Sequence, residues 1–208
     1  MARRTKEEAQ ATRTALLDAA ELLFKERGVS RTSLADIAHA AGVTRGALYW
    51  HFKDKADLFS AMLERVTSPL DADWNSLKDE DGDLLAAWVT HLQKALHQIV
   101  YDAQTRRVLQ IAMQKVEHNE EMNPVVERHI QVHRFHAECE RKVFEQAAQR
   151  RGITLPASAI QLAHGIHALV QGLIYSWLLD RSFDLEATAQ VAIEAYLRGI
   201  GLDITSTA

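Results

Sequence analysis

Residues 32–52, TSLADIAHAAGVTRGALYWHF, constrain this chain more than any other stretch. Thr32 or Ser33 can cap a helix, and Asp36 stands three residues after Ser33, the spacing of a capping box. Leu34, Ile37, Ala38 and Ala41 recur at helical period, so that helix has one buried stripe. Gly42 follows where the pattern stops, the usual place for a left-handed cap. Val43 fills the corner, and Thr44 can cap a second helix buried through Leu48 and Phe52. The rest of that helix, Thr44, Arg45, Gly46, Ala47, Tyr49, Trp50 and His51, mixes small residues, donors and aromatics. A solvated face would carry Glu and Lys instead. Two short helices joined at a sharp angle, with such a surface, form a helix-turn-helix whose second helix suits the DNA major groove. Arg45 is the candidate for bidentate contact with guanine, and Thr44, Tyr49, His51 and Lys55 are placed to donate to phosphates. Thr32, Ser33, Gly46 and Trp50 complete the candidate surface. For Tyr49 and Trp50 the alternative is a place in the core of the head, with Trp50 against the first helix.

The positions Thr32 or Ser33, Ile37, Ala38, Ala41, Gly42, Val43, Gly46, Tyr49, His51 and Phe52 resemble the DNA-binding domain of TetR-type transcriptional regulators. The opening ARRTKEEAQATR and the YWHF run are similar to the AcrR- and TtgR-like branch, repressors of multidrug efflux pumps. The resemblance covers about the first quarter of the chain. It implies an all-α protein that binds double-stranded operator DNA as a homodimer and takes a small hydrophobic or aromatic inducer. It also implies that Thr44, Arg45, Tyr49, His51 and Lys55 are DNA-contacting positions.

Charge placement agrees with one DNA-binding end. The 208 residues carry 24 Lys/Arg and 28 Asp/Glu. Residues 1–55 hold ten of the bases and seven of the acids, which leaves 14 and 21 for the remainder. A basic head on an acidic body directs nucleic acid to the head. The expected division is therefore a helix-turn-helix domain over 1–55 and a helical ligand-binding and dimerisation domain over 56–208. With three prolines and nine glycines, the body reads as long helices, about nine in the whole chain. A single cysteine, Cys139, excludes an intrachain disulfide and fits a reducing cytoplasm. The basic N-terminus lacks an apolar core of the signal-peptide kind, and Ala168 to Leu179, the longest apolar candidate, is broken by Gln171, Gly172, Tyr175 and Ser176. A soluble cytoplasmic protein with no membrane partner is expected.

Along the chain, residues 1–12 read as a frayed basic arm and Thr12 to Arg27 as an amphipathic helix. A helix from Asp54, with Leu58, Met62 and Val66 in its stripe and a break near Pro69, is the covalent route from head to body. Further helices run from Leu85 to Val100, Thr105 to Val116, Pro124 to Arg151, Pro156 to about Leu179 and Leu185 to Leu197. In the last two, Gly165, Ala168, Gly172 and Ser176, then Val191 and Ala195, place small residues on one face. An ordinary core helix is one reading of that face. The preferred one is a pair of helices that meets its own copy as a four-helix bundle. Two heads about 34–36 Å apart can then read an inverted repeat.

Polar and aromatic residues also stand where a filled core would have Leu and Val: Trp88, His91, Gln110, Met113, Phe135, Gln171 and Tyr175. With Val66, Leu92, His136 and His167 they make a candidate ligand pocket, the alternative being satisfied polar groups in a tight core. His129, His133, His136 and Glu140 follow at steps of four, three and four, a spacing known from metal sites. Ligands from a second element are not evident unless the fold brings His164 and His167 close, so no metal and no cofactor are expected. No phosphate loop, nucleophile elbow or CxxC is present, so no enzyme is expected. Two functions remain: a ligand-responsive repressor, or a DNA-binding dimer with the same head and no inducer.

Overall fold

The structure is a computed structural model that describes residues 6–76, 82–116 and 120–203. The first residues of the basic arm and most of the 78–83 loop lie outside these. Among the described residues there are nine α-helices and no strand: α1 Lys6–Arg27, α2 Leu34–Ala40, α3 Arg45–His51, α4 Lys55–Ser76, α5 Leu84–Tyr101, α6 Ala103–Gln114, α7 Asn123–Arg151, α8 Ala159–Asp180 and α9 Leu185–Gly199. A 3-10 turn, Glu120–Met122, precedes α7. The all-α expectation is met. Among the boundaries that differ from the sequence reading, two differ most. The first helix begins at Lys6 rather than Thr12, because Glu7 and Glu8 sit in its first turn and complement the helix dipole. α4 continues past Pro69 to Ser76, since proline removes one helical donor and keeps a helical φ.

The chain divides into two compact units: residues 1–67 with 107–129, and residues 68–106 with 130–208. In the first unit Leu16, Ala20 and Phe24 of α1 meet Ile37 and Ala38 of α2, Leu48 of α3 and Phe59 and Met62 of α4 in one core. Val108 and Ile111 of α6 and Met122 join the same core. A carboxylate lies among them. Glu21 of α1 is only 1% exposed; it accepts from Arg65 Nη2 of α4 and, through Oε2, from Arg107 Nε and Nη2 of α6 at 3.0 and 2.9 Å. Arg65 also donates to Asp18 at 2.8 Å.

In the second unit α9 packs on both α5 and α8. Leu85, Leu96, Ile166, Leu178, Ala189, Ile193 and Leu197 are buried there, and Trp88 packs edge-on against Phe144 with ring centroids 5.7 Å apart. By length and composition alone α8, 22 residues with an 18-residue window of mean hydropathy 1.2, is long and apolar enough to cross a membrane, contrary to the reading of its interrupted apolar run. Its interruptions are uncharged, and a third of the stretch is buried inside the protein.

Gly165 shows how closely α8 and α9 approach. Tyr196 Oη donates to the Leu162 carbonyl at 2.7 Å, and a Cβ at position 165 would stand 2.5 Å from that oxygen. Gly165→Ala is therefore expected to destabilise the fold by about 1 kcal/mol, an overpacking cost of about 1–3 kcal/mol less about 1 kcal/mol of helix propensity. Thermal melting checks this, and the double variant with Tyr196→Phe should recover part of the loss. An unchanged Tm in Gly165→Ala would mean that Tyr196 swings aside freely.

Candidate nucleic-acid interface

The angle between α2 and α3 is built from local chemistry. The Ser33 hydroxyl accepts from the Asp36 N–H at 3.1 Å, and the Asp36 carboxylate accepts from the Ser33 N–H at 3.0 Å, a complete capping box. Hydrogen bonds from the Ser33 hydroxyl and N–H hold the Asp36 carboxyl below its ordinary value. Gly42 follows at φ 69°, a left-handed conformation that side chains resist, and turns the chain into the next helix. Thr44 caps α3 by accepting from the Ala47 N–H at 3.2 Å. Leu48 and Phe52 anchor α3 in the core, and Arg13 stacks over the Phe52 ring at 5.3 Å.

The opposite face of α3 stands free of the core of its unit. Thr44, Arg45 and Gly46 are exposed, as is Ser33. Tyr49 is 58% and Trp50 73% exposed, so neither takes the core place that the sequence left open to them. His51 is half-buried, with the Trp50 ring edge-on at 4.6 Å. Two expected surface residues are elsewhere. Thr32 is fully buried and donates its hydroxyl to the Gly28 carbonyl at 2.8 Å, closing the turn after α1. Lys55 is also buried, its Nζ 2.9 Å from Glu121 Oε2 and 3.5 Å from the Ser30 carbonyl. A recess of about 330 Å³ adjoins this pair and is lined by Ser33, Leu34, Ala35, Arg45, Leu48 and Tyr49 as well. Nothing near Lys55 in the sequence signals Glu121, which lies 66 residues away.

The residues expected around a ligand are divided. Val66, Gln110 and Met113 belong to the first unit and the others to the second. Val66 is buried in the first core, and Gln110 donates to Gln114 at 3.4 Å. In the second unit, Trp88 is taken up by Phe144, while His91, Leu92 and Gln171 are half-buried. Phe135 and Tyr175, expected to face inward, are 42% and 44% exposed. The buried stripe of α7 runs through Ala137, Val143, Phe144 and Ala147 and that of α8 through Ile166 and Trp177, so both rings fall about two positions off the stripe. A second cavity of about 180 Å³ lies between α5 and α9, lined by Val89, Gln93, Leu96, Glu186, Gln190, Ile193 and Glu194. None of the expected ligand residues lines either cavity.

α7 and α8 do bring histidines together. His133 packs against His164 and His167 with ring centroids at 5.8 and 4.2 Å, and His136 lies 6.1 Å from His167. His167 Nδ1 is 3.7 Å from Glu140 Oε1, both groups nearly buried. Among the described residues no group of three or more His, Cys, Asp or Glu is arranged to hold a metal ion. On the outer faces of α8 and α9, Ala168, Gly172, Ser176 and Ala195 are exposed with Tyr175, while Leu179 is 60% and Val191 68% exposed. Gly165, expected among them, faces Tyr196 of its own chain instead.

Residues 16–62 match the family described as bacterial regulatory proteins, tetR family, and residues 84–201 match the C-terminal region of MAATS-type transcriptional repressors. The chain is 39% identical over 183 residues to the HTH-type transcriptional regulator TtgR of Pseudomonas putida, covering 86% of each. Among solved structures it is similar to NalD, the secondary repressor of the MexAB-OprM multidrug efflux pump in Pseudomonas aeruginosa. There the TM-score is 0.85 at 38% identity, over 92% of this chain and 98% of that one. The SmeT–triclosan complex matches with a TM-score of 0.81 at 27% identity, over 95% and 97%. With two family matches spanning both parts of the chain and a shared all-helical fold, the protein belongs to the TetR family of transcriptional regulators and is related to its repressors of multidrug efflux.

Proposed function

We propose that this protein is a cytoplasmic, non-enzymatic, ligand-responsive repressor of a multidrug efflux system, binding an inverted-repeat operator as a homodimer through residues 44–51 of each head. The observation that carries this reading is the exposed α3 face, with Arg45, Tyr49 and Trp50 free of the core, on a chain similar to NalD over nearly its whole length. The apolar outer faces of α8 and α9 pair with those of a second copy. Residues 1–55 read the DNA, and 56–208 take the inducer and dimerise. The inducer is a hydrophobic aromatic compound, a class for which triclosan, present in the SmeT complex, serves as the probe. α4 is one continuous helix that carries residues of both units, so it is the covalent path by which a bound compound tilts the head.

A duplex recovered by selection from random DNA supplies the operator for the test. Arg45→Ala should weaken that duplex by about 1–3 kcal/mol and relax preference at one position of each half-site. Equal loss on operator and random DNA would place Arg45 at a phosphate. Triclosan should weaken the wild type on the same duplex by roughly 5–150-fold, and by thermodynamic reciprocity the duplex should weaken triclosan by the same factor. Calorimetry with and without duplex checks the equality. Equal triclosan affinity in both titrations favours the second reading, a DNA-binding dimer without an inducer, which the packing of Trp88 on Phe144 supports.

A further inference from the structure

We propose that Glu121 is an internal stand-in for a DNA phosphate, holding Lys55 in the absence of DNA and giving it up when the duplex docks. The inference rests on the DNA-binding reading and adds to it a contact that sets the affinity. Lys55 opens α4 and is 6% exposed, so its ammonium needs an anion close by. Glu121 supplies one at 2.9 Å. The two partners are unlike in burial: the Lys55 side chain is 7% exposed and that of Glu121 48%. The lysine is thus held in place by the protein, whereas the carboxylate reaches in from the solvent side and can leave at little desolvation cost.

Both residues border the recess of about 330 Å³, on the side of α3 that presents Arg45 and Tyr49. At about 30 Å³ per water molecule that space holds several waters, and hence a phosphate group. The charged residues that line it are Arg45, Lys55 and Glu121, so the lining carries one cation in excess until Glu121 leaves, and two afterwards. A phosphodiester entering that recess would compete directly with Glu121 for Lys55. The carboxylate is carried on the 3-10 turn Glu120–Met122, and the carbonyl of Lys115, the residue after α6, accepts from the Val29 N–H of the head at 3.3 Å.

The test needs neither operator nor inducer. A fluorescent duplex of random sequence is titrated with the protein at stepped KCl concentrations. Glu121→Gln should tighten binding about fivefold, the size of a half-exposed ion pair, and leave the salt slope unchanged, because Lys55 neutralises its phosphate in both complexes. Glu121→Asp withdraws the carboxylate at unchanged net charge and should tighten binding in the same direction, which also serves if Glu121→Gln melts out. Lys55→Gln should weaken binding, and adding Glu121→Gln to it should bring no gain. The same gain in both backgrounds would show a general charge effect and overturn the proposal. Unchanged or weaker binding by folded Glu121→Gln and Glu121→Asp would overturn it too. A wild type that binds no duplex at all would instead sink the DNA-binding reading itself, and this inference with it.

Discussion

Glu21→Ala is expected to lower folding stability by roughly 3 kcal/mol, read as a shift of the urea midpoint at constant m. The carboxylate is 1% exposed and receives hydrogen bonds from Arg65 and Arg107, so three helices, α1, α4 and α6, meet on one side chain. Removing it leaves two guanidinium groups facing each other across a small void. Breaking a buried ion pair costs about 3–5 kcal/mol, and the lower end applies because Arg65 and Arg107 retain 21% and 30% of their side-chain exposure. Glu21→Gln should cost less, since the amide oxygen still accepts from one arginine. A loss below about 1 kcal/mol for Glu21→Ala would mean that the arginines find solvent and that the core around Phe24 and Phe59, not the ion cluster, holds these helices.

The second large effect is on assembly. Val191→Glu should dissociate the proposed dimer by a factor on the order of 100 or more and leave the protomer folded. Val191 is 68% exposed on α9, and Tyr175 and Leu179 of α8 are exposed as well, so the substitution disturbs little within one chain. In a two-fold interface every residue occurs twice, and each copy would bury an unpaired carboxylate at a cost of several kcal/mol. Sedimentation velocity should show a monomer, circular dichroism an unchanged helix content, and operator affinity should drop because the two heads no longer bind as one. A variant that sediments like the wild type would remove α9 from the interface.

What could be read in advance shares one property: the signals are local. Ser33 and Asp36 are three residues apart, Gly42 adopts its positive φ whatever lies beyond the turn, and the period of Leu34, Ile37 and Ala38 marks a buried face within one helix. Hence the helix-turn-helix, the order of the helices and the exposed donors of α3 were legible. The phase of a long amphipathic helix was less so. In α7 and α8 an error of two positions sends Phe135 and Tyr175 from the core to the surface, because apolar residues on these helices exceed what one stripe can bury.

Caps, turns and helical periods suffice for the all-helical class, the head and the residues that α3 shows to solvent. The partners of charges and of small residues follow only from the packing of distant elements. Lys55 could serve a phosphate or an acid, and Glu121 answers that question from 66 residues away. Glu21 looks like one more surface acid on α1 until Arg65 and Arg107 arrive from α4 and α6. Gly165 announces a close approach without naming its neighbour, which is Tyr196 of the same chain. The physical reason is common to all three. A helix period or a cap is an energy of neighbouring residues, whereas the state of a buried charge or a missing Cβ depends on whichever distant group the fold brings within a few ångströms.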